Sequence, residues 1–233
     1  MSDLHSVTVI SIDETGGRQV LLTLDPEHTS VRHSHRVAGQ YVKLALYADD
    51  VVRPYAVASK PGAPNLEILV KAPEERLAQL VGLKSGDRVH MSACLGNGYN
   101  MEALRGRHVL LVGVGSGIAP LRSCLEVMLD DRMAYQDITL LYGVRDPTEL
   151  VFQARFGQWA GLGVRVVPVV SGAHVADGDW AGARGHVQDH LPASLPHPEH
   201  TVAVVCGLPE MEKAVAAALL ERGVGPDRVL RNW

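Results

Sequence analysis

The sequence predicts two domains: an antiparallel β-barrel over residues 1–100 and a doubly wound α/β domain with a parallel sheet over residues 101–233. Three observations carry this. Residues 6–93 hold short runs of alternating apolar and polar side chains broken by turn residues, the pattern of half-buried antiparallel strands. From residue 108 the strand-like runs become almost wholly apolar and alternate with helical patterns, as parallel strands covered on both faces do. The first of these runs, His108-Val109-Leu110-Leu111-Val112, leads into Gly113-Val114-Gly115-Ser116-Gly117-Ile118-Ala119-Pro120. Strand, glycine turn and helix in that order present free backbone N–H groups to a phosphate.

In the first half, residues 6–13 alternate, Glu14-Thr15-Gly16-Gly17 reads as a turn, and residues 19–25 form the returning strand. Residues 40–46, 51–58, 66–71 and 88–93 follow as strands, with one helix over 74–81. In the second half the apolar runs are 108–112, 138–142, 164–170 and 201–206, and the helical patterns are 121–129, 148–159 and 210–222. Residues 171–198, rich in Gly, His and Pro, read as a long loop with one helical turn. Residues 228–231 alternate like a short strand that adds to the parallel sheet.

Composition narrows the function. With 46% hydrophobic and 21% charged residues and a net charge of −4, the chain reads as a soluble globular protein without a basic surface for nucleic acid. No apolar run reaches the ~18 residues of a membrane span, and Met1-Ser2-Asp3-Leu4-His5 lacks a signal-peptide pattern. Cys94, Cys124 and Cys206 lie far apart, which suits the cytoplasm and provides no clustered metal or iron–sulfur ligands. His28, His33 and His35 stand close together, and His186 and His190 four apart with Val-Gln-Asp between them. Neither set is the spacing of a metal hydrolase, so both read as solvated loop histidines and no metal is expected.

The glycine stretch has the spacing G-x-G-x-G, with Gly113, Gly115, Ser116 and Gly117 placed to approach a ligand and Pro120 suited to a first helical turn. No Lys-Ser or Lys-Thr follows, so it is not a P-loop, and the next strand ends in Gly143-Val144-Arg145 rather than an acid. By itself it equally describes a turn without a ligand. Arg53 and Tyr55, two apart, share one face of a strand, where a guanidinium can pair with phosphate and a phenol ring can lie on a flat ring. By themselves they also describe a barrel strand with an exposed Arg and a packed Tyr. Cys206 ends an apolar strand and opens a helix, a position that can lower a thiol pKa. No His adjoins it, and a small packing residue is the other reading.

Four stretches, in order, give a resemblance that covers essentially the whole chain. Arg53-Pro54-Tyr55-Ala56 resembles the R-x-Y-S flavin motif of the ferredoxin–NADP reductase family, and Gly39-Gln40-Tyr41-Val42 the strand opening before it. Gly113 to Pro120 resembles that family's nicotinamide-dinucleotide loop, and Cys206-Gly207-Leu208-Pro209-Glu210-Met211 its C-G-x-P-x-M motif. Leu95-Gly96-Asn97-Gly98-Tyr99 resembles a segment of the electron-transfer subunit of dihydroorotate dehydrogenase, without the clustered cysteines of its [2Fe–2S] centre.

The resemblance implies a reductase that passes electrons from NAD(P)H through FAD, with FMN as the alternative, to a separate acceptor. That acceptor is a ferredoxin, a flavodoxin, an iron–sulfur protein or other partner subunit, or a small molecule. It implies flavin contacts at Arg53, Pro54, Tyr55, Ala56, Val70, Arg76, Gly96 and Gly98. It implies nicotinamide-dinucleotide contacts at Gly113, Gly115, Ser116, Gly117, Pro120, Arg145, Cys206, Gly207, Pro209 and Met211. Tyr55, Cys206 and the final aromatic Trp233 stand at the reacting rings, with Trp233 covering the flavin.

Three departures qualify this. Ala56 replaces the motif's Ser, whose hydroxyl faces the flavin N5 edge; Ser59 or a backbone N–H is a candidate substitute. Ala72-Pro73-Glu74-Glu75-Arg76 replaces a Gly-x-x-Ser or Gly-x-x-Thr pyrophosphate turn, placing two carboxylates where phosphate is expected and leaving Arg76 to compensate. The third parallel strand ends Ser171-Gly172-Ala173-His174, without the Arg that grips a 2′-phosphate, so NADH is expected over NADPH. The competing reading is a non-catalytic NAD(H)-binding regulatory or scaffold module with a decayed flavin site.

Overall fold

The structure, a computed structural model, describes residues 4–47, 50–172, 174–176, 179–191, 195 and 197–231. The first half contains β1 (His5–Gly16), β2 (Gln19–Asp25), β3 (Tyr41–Ala45), β4 (Arg53–Ala56), β5 (Leu66–Lys71), α1 (Glu74–Val81) and β6 (Arg88–Met91). The six strands form one curled antiparallel sheet in the order β4-β3-β6-β1-β2-β5. Its two edges meet just beyond β4, where Val57 bridges Ile68 and the Ala58 N–H donates to the Glu67 carbonyl at 2.7 Å. Alternation does the rest: Val20, Leu22 and Leu24 of β2 point inward with Val42, Leu44 and Ile68, all fully buried.

The β1–β2 turn sits later than the sequence indicates. Gly16 pairs with Gln19, and the chain reverses at Gly17 and Arg18, both with positive φ (59° and 56°). Hairpins favour this mirror-image turn because its twist matches that of the strands.

The second half contains β7 (His108–Val114), α2 (Ile118–Asp130), β8 (Ile138–Val144), α3 (Gln153–Gly161), β9 (Val164–Val170), β10 (Ala183–Arg184), β11 (Thr201–Cys206), α4 (Pro209–Glu221) and β12 (Val229–Arg231). All six strands are parallel, in the order β10-β9-β8-β7-β11-β12. Helices cover both faces. Leu111 and Leu140 pack with Cys124 and Leu125 of α2 and Trp159 of α3, while Leu110, Val112 and Val205 pack with Val215 and Leu219 of α4. The helix expected over 148–159 is broken: a 3-10 turn spans Pro147–Glu149, Phe152 takes a left-handed φ of 62°, and α3 starts only at Gln153. Among the described residues of the long segment after β9, Ala183 and Arg184 pair with Val169 and Val170, and a 3-10 turn spans Val187–His190.

The two halves are joined by a polar seam. Arg122 of α2 is buried, donating to Glu67 of β5 at 2.6 Å and to Glu126 one turn along at 2.8 Å, with its guanidinium 4.5 Å above the Phe152 ring. Beside it, the Ser123 hydroxyl donates to the Ser59 carbonyl at 2.7 Å.

His35 is not a solvated loop histidine. It is only 7% exposed, and neither ring nitrogen has a hydrogen-bond partner among the described residues. Burial pushes its pKa down to about 4, with the Val37 backbone opposing. The unfolded chain, with a His pKa near ~6.5, therefore binds more protons than the fold between the two values. Stability attributable to His35 is intact above about pH 6.5 and is lost as pH falls towards 4, by about 3 kcal/mol in all. Denaturant unfolding across this range is expected to give a shallower pH dependence for His35→Leu than for the natural chain. Equal slopes would remove His35 as the cause.

Candidate dinucleotide cleft

A cleft of about 1140 Å³ runs along the seam, at the carboxyl ends of the parallel strands. The barrel wall is made by Pro54, Tyr55 and Ala56 of β4, Leu69 and Lys71 of β5, and Gly17 and Arg18 of the hairpin. The opposite wall is made by the turns after β7, β8, β9 and β11: Val114 to Gly117, Arg145, Ser171, and Cys206 to Leu208 with Met211. Ligands of doubly wound sheets bind at this edge.

The glycine turn is shaped by close approach. A Cβ on Gly117 would lie 2.3 Å from the Cys206 carbonyl oxygen, and one on Gly113 would lie 2.6 Å from Leu121 Cδ1. Gly115 differs: its φ is 53° and the space beside it is open. The turn Gly115–Gly117 runs directly into α2 and no side chain caps either element; the Ile118 N–H donates back to the Gly115 and Ser116 carbonyls, so the N–H groups available to a ligand are those of the turn itself. These residues fit a dinucleotide phosphate, because a Cβ at Gly115 would fill the space they leave.

Cys206 ends β11 at the cleft, 6% exposed. Burial raises its thiol pKa to about 11, the Tyr99 hydroxyl partly opposing. With burial dominant, the thiol stays protonated at neutral pH, a compact neutral contact rather than a nucleophile. Pro209 is the first residue of α4, and the Gly207 N–H donates to the Glu212 carboxylate at 3.1 Å.

The flavin-side residues divide. Pro54, Tyr55 and Ala56 line the cleft, and Arg53, next to them, is exposed without an ion pair among the described residues. Val70 does not line it: it is fully buried in the barrel, and its neighbours Leu69 and Lys71 face the cleft, as a two-residue period requires. Arg76 is held away by Asp50 at 2.8 Å. Asp50 also accepts from the Leu46 and Val51 N–H groups, so this pair fixes the loop before β4, and these bonds hold the Asp50 carboxyl below its ordinary range against the opposing effect of desolvation. Gly96 and Gly98 lie in the connector. The Gly96 carbonyl accepts from Gln40 at 3.0 Å, and Gly98 lines a separate cavity of about 650 Å³.

Ser59 does not replace the hydroxyl missing at Ala56. It is 2% exposed, its Oγ accepts the Glu67 N–H at 3.1 Å, and it is not a cleft residue. Helix α1 does not offer a phosphate site either, with Pro73 at its cap and Glu74 and Glu75 in its first turn. Arg184 is tied to the carbonyls of Val175, Ala176 and Trp180 at 2.9, 2.6 and 3.4 Å. Trp233 lies outside the described residues. Cleft residues that sequence reasoning missed are Arg18, Leu69, Lys71, Glu149 and His186 to Gln188. Only Leu69 and Lys71 carried a signal, the strand alternation itself.

Residues 111–217 match the model of the oxidoreductase NAD-binding domain. The fold aligns over its whole length with 70% of a cytochrome P450 reductase from Amycolatopsis, at a TM-score of 0.82 and 26% identity. In sequence and fold the chain is thus similar to ferredoxin–NADP reductase-like oxidoreductases. Among curated relatives, the sulfhydrogenase 1 subunit gamma of Pyrococcus furiosus is 29% identical over 82% of this chain and 65% of its own length. A ferredoxin–NAD(P)+ reductase component of naphthalene 1,2-dioxygenase/salicylate 5-hydroxylase systems from Ralstonia is 30% identical over 82% of this chain and 58% of its own. The chain thus spans less than two thirds of either relative. Among the described residues, no helix is long and apolar enough to cross a membrane.

Proposed function

We propose that this chain is an NAD(P)H-dependent flavoprotein reductase that delivers electrons to a separate acceptor, with NADH as the preferred donor. The observation that carries the reading is the shared cleft: Tyr55 and Ala56 of the barrel and the Gly115–Gly117 turn and Cys206 of the α/β half line one space. FAD bound there would accept a hydride from NAD(P)H and release electrons onward. Tyr55 supplies a flat wall for the ring system, and Arg53 a guanidinium in reach of solvent-side phosphate. The glycine turn and the N-terminus of α2 hold the pyrophosphate of the nicotinamide dinucleotide, and Cys206, Gly207 and Met211 shape the position of its reactive ring. The barrel spans residues 1–100 and the nucleotide half 101–233 in this reading. A ferredoxin or a partner subunit as acceptor is consistent with the names of the relatives.

NADH preference is supported by Arg184 being tied to loop carbonyls, with Arg145 the basic residue lining the cleft near Ser171. The purified protein is expected to take up FAD, showing flavin absorbance, and to be bleached faster by NADH than by NADPH in stopped-flow. Protein that binds NADH yet takes up no flavin would instead identify a nucleotide-binding module. A faster reaction with NADPH would mean that Arg145 grips the 2′-phosphate.

A further inference from the structure

We propose that Arg18 and Lys71 are a phosphate-binding pair for a dinucleotide, set on the barrel wall across the cleft from the glycine turn. This rests on the reductase reading above and adds the residues that neutralise its ligand. The two residues adjoin along the backbone: Gln19 pairs with Lys71 across the β2–β5 ladder, and the Ala72 N–H donates to the Arg18 carbonyl at 3.3 Å. Both line the cleft, and neither side chain makes a hydrogen bond or ion pair among the described residues. β5 packs against the Gly115–Gly117 turn, so the pair and the open N–H groups border the same space.

Three further facts point the same way. A dinucleotide pyrophosphate carries about two negative charges, and the first turn of α2 contains no basic side chain to meet them. The end of α1, where the family's phosphate turn would lie, carries Glu74 and Glu75 instead. Arg18 also holds a φ of 56° in a reversal that glycine or asparagine would adopt without steric cost. The hairpin thus carries a long cation where a residue of lower backbone cost would serve the turn. The hairpin is fixed in place as well, because Gly16 lies so close to the Thr148 carbonyl that a Cβ there would be 2.0 Å from its oxygen. Glu149, also in the cleft, does not neutralise the pair: its carboxylate accepts the Arg145 N–H at 3.4 Å and forms no ion pair with Arg18.

The phosphate has two sources, flavin and nicotinamide dinucleotide, and titration of the full chain separates them. The variants are Arg18→Gly, which removes the cation and suits the backbone, Lys71→Gln, and both together. Affinities for FAD, FMN, riboflavin and NADH are measured by fluorescence, alongside thermal melts. The double variant is expected to melt no lower than the natural chain and to bind riboflavin equally well. FAD, NADH or both are expected to bind about ten-fold or more weakly. Loss confined to FAD and FMN assigns the pair to the flavin, and loss confined to NADH to the nicotinamide dinucleotide. Unchanged affinity for both FAD and NADH, or equal weakening of riboflavin, overturns the pair while leaving the reductase reading intact. Failure of the natural chain to bind FAD and NADH overturns both.

Discussion

Replacing Gly117 by valine is expected to cost about 3 kcal/mol of stability and to abolish NADH binding, whereas replacing Gly115 by alanine should cost about 1 kcal/mol and still abolish binding. The two glycines serve for different reasons. At Gly117 the backbone angles suit any residue, since its φ is −61°. A Cβ, however, would stand 2.3 Å from the Cys206 carbonyl oxygen and 2.9 Å from its carbon. These are backbone atoms at the end of a central strand and cannot swing aside. Either α2 lifts off the sheet or the turn carrying Cys206 and Gly207 moves, and both change the cleft. At Gly115 nothing lies within 4 Å, so the cost is the strained φ of 53°, and the added methyl projects into the space left for the ligand. Gly157, exposed on α3 with no close neighbour, is the control, where alanine should stabilise by about 0.5–1 kcal/mol. Thermal melts and NADH titrations on the three variants separate the cases. A Gly115→Ala protein that binds NADH normally would place the phosphate somewhere other than this turn.

The sequence shows what is local and periodic. The apolar runs ending at Val112, Tyr142, Val170 and Cys206 are all strands of the parallel sheet, because a strand buried on both faces has no room for polar alternation. The glycine turn is legible for the same reason, since its chemistry lies within eight consecutive residues. What escaped is set by contacts across the seam. Nothing near Arg18 indicates that the hairpin tip reaches the turn at Thr148, which lies on the other half of the molecule. The helix expected from residue 148 starts late because Leu150 and Val151 are buried in the core before the chain turns at Phe152. Tertiary packing there overrides a helical pattern. Val70 and Lys71 show the limit of motif transfer. A motif names a stretch, but the two-residue period decides which of its side chains meets the ligand.

Arg122→Ala is expected to destabilise the chain by about 3 kcal/mol and to loosen the cleft itself. The guanidinium is 2% exposed, while Glu67 and Glu126 are 22% and 18% exposed, so its removal leaves two half-buried carboxylates without their shared cation. Arg155 is 3.8 Å from Glu126 and retains that partner, but Glu67 keeps none of its ion pairs among the described residues. The contact over Phe152 disappears too, and with it part of the packing before α3. Because Glu67 belongs to the barrel and Arg122 to the nucleotide half, the loss falls on the seam rather than on either core. Unfolding should then show the two halves separating in temperature, and flavin reduction by NADH should slow, since the walls of the cleft are no longer held in register. The double variant Arg122→Ala with Glu67→Gln should recover part of the stability, because it removes a stranded charge. If that second change restores nothing, the cost lies in lost packing over Phe152 and not in the ion pair.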